Sequence, residues 1–332
     1  MSMPTPVPPS SGGIAPDTPS GIDLSIIVVN WNVRELLREC LRSTLEDGGV
    51  PRERLQLIVV DNDSADGSAA MVAEAFPEVT LIANRDNPGF GKANNQALPL
   101  CRGRQLLLLN PDTRVLPGAI AALLAHLDAD PTIAATGCRL LNADGSLQRW
   151  TGGAYPRLLN VVSHYFFLDR LLPPAWRPLP LYLDRDVAHD IEVDWVSGAV
   201  MMLRVSRLGG QLFNPDYFMY GEDMELCHRL KQAGGRIVYT PVASIVHYQG
   251  ASMKQQQAHV MLSSLKGPRQ FYRHMRGDRS VLAYDLVVWA GFALRALLFG
   301  TAALLRGGDA GLRARAASSA DLRQRAWRIL RG

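Results

Sequence analysis

Apolar positions in the first third of the chain fall into short runs, each followed by a stretch with helical spacing. Leu24 to Val29 is one such run, and Leu36, Leu37, Leu41 and Leu45 then carry the spacing of a helix across Val33 to Leu45. Leu55 to Val60 precedes a helical stretch to about Phe76, and Val79 to Ala83 and Gln105 to Leu109 repeat the pattern. Strands alternating with helices predict an α/β fold with a Rossmann-like, mostly parallel sheet flanked by helices. Ligands of such sheets bind outside the carboxyl ends of the strands.

Polar clusters close these runs: Asn30-Trp31-Asn32, Asp61-Asn62-Asp63-Ser64-Ala65-Asp66-Gly67-Ser68, Asn87-Pro88-Gly89-Phe90-Gly91-Lys92-Ala93-Asn94-Asn95 and Asn110-Pro111-Asp112-Thr113. Any one of them is explained by turn formation, since Asn, Asp, Gly and Pro are the usual turn residues. Four at one sheet edge, all with side chains able to hold a nucleotide, point to a nucleotide site. Gly89-Phe90-Gly91 does not complete a dinucleotide fingerprint, and no lysine-bearing phosphate loop is present, which excludes a nicotinamide cofactor and a hydrolysed ATP.

Further on, Phe218-Met219-Tyr220-Gly221-Glu222-Asp223 sets two carboxylates behind a glycine at the start of a helix marked by Leu226 and Leu230 and stopped by Gly234-Gly235. Acids there are favoured by the helix dipole and can simply cap the helix. They can equally serve as a general base presented into a cleft. Trp195-Val196-Ser197-Gly198-Ala199 and Val200-Met201-Met202 read as a strand and turn flooring an acceptor site, with Trp195 and Ser197 as its contacts; a buried core strand explains the rest.

The chain has 332 residues, 47% hydrophobic and 20% charged, enough for one large α/β unit and an appendage. Cys40, Cys101, Cys138 and Cys227 are far apart and read as reduced, buried thiols of a cytoplasmic protein. Residues 1–22 read as a disordered tail rather than a signal peptide, residues 23–255 as the catalytic unit divided near 115, and residues 256–332 as a basic helical region. The net charge of +4 is modest but uneven. Val281 to Leu305 is mainly apolar, yet Asp285 and Arg295 interrupt it, so no run has the length of a confident transmembrane helix. On a helix Asp285, Arg295, Arg306 and Arg313 share an arc of roughly 80°, which predicts a helix lying in a membrane interface; packing on the catalytic unit is the other reading. Arg306, Arg313, Arg315, Arg323, Arg325, Arg328 and Arg331 face only Asp309 and Asp321, a local positive excess that suits an anionic membrane surface better than nucleic acid.

The order and spacing of the four strand-end clusters and Gly221-Glu222-Asp223, across Leu24 to Ser252, resemble glycosyltransferase family 2, and within it the bacterial rhamnosyltransferase branch. The resemblance implies a GT-A fold, a nucleotide-sugar donor and inverting transfer. Carried over by position, Asn30 and Asp61 would hold base and ribose, with Asn32, Asp63 and Asn87 beside them in the nucleotide-sugar site, Asn110 would make a ribose or metal contact through its amide oxygen, and Lys92 would lie beside the phosphates. Asp112 would hold a divalent cation, Mg²⁺ or Mn²⁺, although Asn110 stands where the family has the first acid of its metal pair. His247, after an apolar run, is either a second ligand or a packed histidine. Asp223 would be the base and Glu222 its neighbour on the acceptor side, with the roles open to exchange. A processive synthase would show Q-x-x-R-W after the acidic pair; Gln148-Arg149-Trp150 precedes it, which favours a single addition. The implied reaction moves rhamnose from dTDP-rhamnose to a lipid-linked or cell-envelope glycan, at the inner face of the cell membrane. UDP-hexose or galactofuranose transfer, a sugar nucleotidyltransferase and an inactive sugar-binding protein are the competing readings.

Overall fold

The structure, a computed structural model, describes residues 21–171, 179–217, 220–248 and 257–331. The expected N-terminal tail therefore lies almost wholly outside the described residues, as do Phe218, Met219 and the stretch from Gln249 to Ser252. The first half alternates as predicted: β1 (Leu24–Asn30), α1 (Arg34–Asp47), β2 (Leu55–Asp61), α2 (Ser68–Ala75), β3 (Thr80–Ala83), α3 (Phe90–Ala97), β4 (Gln105–Leu109), β5 (Thr113–Val115), α4 (Ala119–Ala129) and β6 (Ile133–Leu141). The second half adds β7 (Gly152–Gly153), α5 (Leu158–Tyr165), α6 (Leu168–Leu171), β8 (Ile191–Glu192), β9 (Trp195–Val196), β10 (Val200–Arg204), α7 (Glu222–Gln232) and β11 (Arg236–His247). Three helices follow: α8 (Gln257–Arg276), α9 (Asp278–Leu305) and α10 (Ala310–Arg331).

The main sheet has nine strands in the order β3-β2-β1-β4-β10-β6-β11-β5, with β8 against β11. Its first four strands form a parallel block. β6 and β11 pair parallel and run with that block, whereas β10 runs antiparallel between β4 and β6, and β5 and β8 run antiparallel to β11, so six of the nine strands share one direction and the sheet is mostly parallel with three antiparallel members. Local alternation does not announce β10, because it enters between β4 and β6 from distant sequence.

Period-two alternation splits β1 between two cores. Leu24, Ile26 and Val28 pack with Leu37, Leu41 and Leu123 on one face, whereas Ile27 and Val29 pack with Phe213, Leu226 and Phe271 on the other. Helices cover both faces, which is why these strands read as continuous apolar runs. The strand order reverses about β1, opening the crevice of a doubly wound sheet at the ends of β1 and β4.

A third core joins the appendage to this unit, with Val161 and Tyr165 of α5 meeting Tyr272, Tyr284, Val288 and Phe292 of α8 and α9. The polar stripe of α9 is turned inward. Asp285 makes a bidentate pair with Arg269 at 2.8 and 2.9 Å, and Arg295 donates to the carbonyl oxygens of His164 and Tyr165. The polar arc is thus explained by packing on the catalytic unit, the second of the two readings. What faces outward is apolar: Leu282, Leu286, Leu297 and Leu304 are exposed. By length and composition this 28-residue helix is apolar enough to cross a membrane, which the interruptions at Asp285 and Arg295 concealed.

Candidate active site at the carboxyl edge of the sheet

Register places Asn30 opposite Asp61 at the ends of β1 and β2. Asn30 Nδ2 donates to Asp61 Oδ1 at 2.7 Å and to Ser64 Oγ at 3.1 Å, and Asp61 Oδ2 accepts the Ser64 N–H. Asn30 is fully buried and positions Asp61 through Nδ2, while its own Oδ1 has no partner. Asn32, in a left-handed backbone conformation, accepts the Ala65 N–H and ties the two loops together. Asp63, also left-handed, is exposed beside them. Asn87 accepts from Asn62 Nδ2 and from the Gly89 N–H, fixing the turn into α3. Lys92 stands exposed on the first turn of that helix. The predicted nucleotide residues are therefore gathered along one edge.

The end of β4 carries Asn110 and Asp112, and antiparallel pairing of β5 with β11 sets Thr113 opposite His247. His247 Nε2 consequently lies 3.1 Å from Asp112 Oδ1 and 3.3 Å from Asn110 Nδ2. Gln148 decides the histidine's tautomer. Its Nε2 donates to the His247 carbonyl and to Asn142 Oδ1, so its Oε1 must accept from His247 Nδ1, at 2.7 Å. An unprotonated Nε2 then accepts from Asn110 Nδ2 and lies beside the Asp112 carboxylate, where its lone pair could instead ligate a metal ion. The donor set thus fits a divalent ion through Asp112 and His247. Among the described residues no group of three or more His, Cys, Asp or Glu side chains is assembled, so a bound diphosphate would have to complete the shell.

The acidic pair opens α7 through Tyr220 and Gly221, both in left-handed conformations. Glycine at 221 is required twice, by its φ of 108° and because a Cβ would lie 2.8 Å from the Gly267 carbonyl oxygen of α8. The N-cap, Gly221, has no side chain to bond, so N–H groups of the first turn bond the Asp223 carboxylate instead. Asp223, half-buried, accepts the Met224 N–H at 2.8 Å and the Gly198 N–H from the turn after β9. Burial raises its proton affinity above the carboxylate range, while those N–H groups hold it down. Glu222 is buried and its Oε2 has no partner. Burial, then the charge of Asp223, raises its proton affinity further, with only its own backbone N–H opposing. Of the two, Asp223 is the acid built to stay ionised.

Gly198 adjoins Ala199, whose carbonyl accepts the Asn110 N–H at 2.9 Å, so backbone links the acidic pair to the Asp112–His247 corner. Ser197 is part of this turn, its Oγ accepting the Ala199 N–H. Trp195 is otherwise placed than expected: it is a core residue, 4% exposed, with its indole N–H on the Ala154 carbonyl and no open face for a sugar. The aromatic behind the acidic pair that sequence reasoning missed is Tyr182, stacked edge-on against Trp195 at 6.0 Å. Gln148 was also missed; its only sequence signal was the Q-R-W run in an unexpected place. Of the cysteines, Cys40, Cys138 and Cys227 are buried free thiols, and Cys101 is only partly covered.

Comparison with known proteins bears on the family and the fold. The family model described as glycosyl transferase family 2 matches residues 25–204. An N-acetylglucosaminyl-diphospho-decaprenol L-rhamnosyltransferase of Mycobacterium tuberculosis is 28% identical over 252 residues, covering 70% of this chain and 80% of that protein. The rhamnosyltransferase WbbL of Escherichia coli is 28% identical over 235 residues, covering 67% and 82% respectively. Among solved structures, the mannosyltransferase PcManGT from Pyrobaculum calidifontis, in complex with GDP-Man and Mn²⁺, superposes over 91% of this chain and 85% of its own, with a TM-score of 0.53 and 20% identity. That likeness establishes the GT-A type architecture.

Proposed function

The chain belongs to glycosyl transferase family 2 and is a glycosyltransferase; from that premise we propose that it adds one sugar, with inversion, to a glycan carried on a polyprenyl diphosphate. The donor we propose is dTDP-rhamnose, on the likeness to two rhamnosyltransferases. The observation that carries the mechanism is the unequal acidic pair, with Asp223 held by backbone N–H groups and Glu222 buried without a partner for Oε2. In the transfer, the acceptor hydroxyl gives its proton to the Asp223 carboxylate as its oxygen bonds to the anomeric carbon. The bond from that carbon to the donor phosphate breaks, and its electron pair leaves with the nucleoside diphosphate. Glu222, protonated beside it, keeps a second negative charge out of the site. A divalent ion on Asp112 and His247 would supply charge neutralisation at the diphosphate. Asn30 and Asp61 would shape the wall that receives the base and ribose, and Lys92 would face the phosphates.

The exposed leucine face of α9 and the arginines of α10 support attachment to the inner face of the cell membrane, at about 1 kcal/mol per basic residue near anionic lipid. Incubation of the full chain with Mn²⁺, a lipid-diphosphate glycan and a panel of dTDP-, UDP- and GDP-sugars tests the reading. Acceptor-dependent release of dTDP from dTDP-rhamnose is expected. Release of UDP from a hexose or galactofuranose donor instead would overturn the donor, and no release from any donor would overturn the transfer. Equal partition into neutral and anionic vesicles would remove the membrane component.

A further inference from the structure

A cavity of about 520 Å³ lies between the catalytic unit and the C-terminal helices, outside the nucleotide edge. Its walls come from the loop at Arg149 and Trp150, from His164 and Phe167, from Tyr182, and from α9 and α10. Arg149, Arg295 and Arg315 line it, against Asp184 as the one carboxylate of the lining among the described residues. Arg295 is fixed in place, its guanidinium 5.0 Å from the Tyr165 ring and 4.8 Å from that of Phe167 while it donates to two carbonyls. Arg149 and Arg315 are exposed, and among the described residues neither is paired with a carboxylate. Such an excess of guanidinium in a concave site calls for an anion with several oxygens.

Two further features narrow the anion. Trp150 is 62% exposed and held at φ 67°, a strained conformation for a bulky residue, with its N–H anchored on the Leu183 carbonyl. It stands 6.2 Å from Tyr182, whose other neighbours are His164 and Trp195 and whose hydroxyl feels the charge of Asp223 after burial and Tyr165. An open aromatic face therefore leads from the arginines toward the base, as a sugar requires. On the other side, next to Phe299 of the lining, Leu297, Leu298, Leu304 and Leu305 are exposed along the end of α9. That lip suits a hydrocarbon chain and no soluble phosphate.

Resting on the transfer reading above, we propose that this cavity is the acceptor site, with Arg149, Arg295 and Arg315 on the diphosphate, Trp150 under the first sugar, and the polyprenyl chain leaving over the α9 leucines. The test is equilibrium binding of farnesyl diphosphate, farnesol, inorganic pyrophosphate and dTDP to the full chain in detergent. The wild-type chain and the exposed-site double variants Arg149→Ala/Arg315→Ala and Arg149→Lys/Arg315→Lys are compared. Farnesyl diphosphate is expected to bind more tightly than farnesol or pyrophosphate, to weaken roughly 10- to 100-fold in the alanine variant, and to recover in part with lysine; dTDP binding is expected to hold. Unchanged farnesyl diphosphate affinity in the alanine variant overturns the site. An equal loss of dTDP overturns it too, since the cavity would then hold the donor. Wild-type binding no tighter than that of pyrophosphate overturns the lipid. If binding behaves as expected and no sugar is transferred from any donor, the transfer reading fails while the site stands.

Discussion

The two sides of the cleft are built on opposite principles. On the nucleotide side, most polar groups are paired before any ligand arrives, Asn30 Nδ2 with Asp61 and Ser64, Asn62 with Asn84 and Asn87, Asn32 with the Ala65 N–H, while Asn30 Oδ1 is left without a partner. On the acceptor side, Glu222 Oε2 has no partner and Tyr220 and Trp150 hold left-handed backbones. Fully bonded networks fix geometry, whereas buried, incompletely bonded acids store proton affinity. One side of the cleft positions, and the other reacts.

The sharpest way to break that contrast is Asp223→Asn. The substitution keeps the shape and removes the base, so turnover should fall roughly 10²- to 10⁴-fold while nucleotide binding, measured by titration, stays as it was. A comparable loss of nucleotide affinity would place Asp223 on the donor side and erase the division. The same contrast predicts the pH profile. Asp223 must be ionised to accept a proton, and burial raises its proton affinity, so activity should fall on acidification at a pH above the ordinary carboxylate range. A profile flat down to about pH 4, where model carboxylates titrate, would mean that the pair is solvated during turnover.

Gln148→Leu tests the positioning side at its corner. Without Gln148 Oε1, His247 Nδ1 loses the acceptor that fixes the tautomer and ring orientation. Metal affinity should drop roughly 10- to 100-fold, the usual cost of losing such a partner, and excess Mn²⁺ should restore turnover. Unaltered metal dependence would leave His247 as a packed histidine.

Both sides were legible from sequence to different depths. β1 to β4 announce themselves by apolar runs, and Asn30, Asp61 and Asp112 fall where each run ends, because strand and loop are local in sequence. The pairing of His247 with Asp112 is not local. It depends on β11 returning antiparallel to the three-residue strand β5, and on Gln148 arriving from between β6 and β7. Trp195 misled for a related reason: a tryptophan before a Ser-Gly turn looks the same in sequence whether its indole ends in a cleft or on the Ala154 carbonyl. On α9 the spacing of Asp285 and Arg295 gave the stripe but not its direction, since the groups that receive it, Arg269 and the carbonyls of His164 and Tyr165, belong to α8 and α5.

The smallest effect concerns stability, and it sharpens what the reacting side costs. Glu222 has its proton affinity raised in the folded chain by burial and by Asp223. An acid of this kind binds protons more tightly folded than unfolded, so its contribution to stability is fullest below the unfolded pKa and is lost as pH rises through the folded one. Glu222→Gln cannot ionise and escapes that loss. Above the ordinary glutamate pKa the variant should therefore gain stability, at least about 1 kcal/mol by the end of the titration, read as a melting point about 2 °C higher. Below about pH 4 the two chains should melt alike, because both are then neutral at this position. A gain independent of pH would trace the effect to shape instead of charge. A loss at high pH would mean that ionised Glu222 is stabilised in the folded chain, and the contrast between a satisfied side and a strained one would fail at the residue on which it most depends.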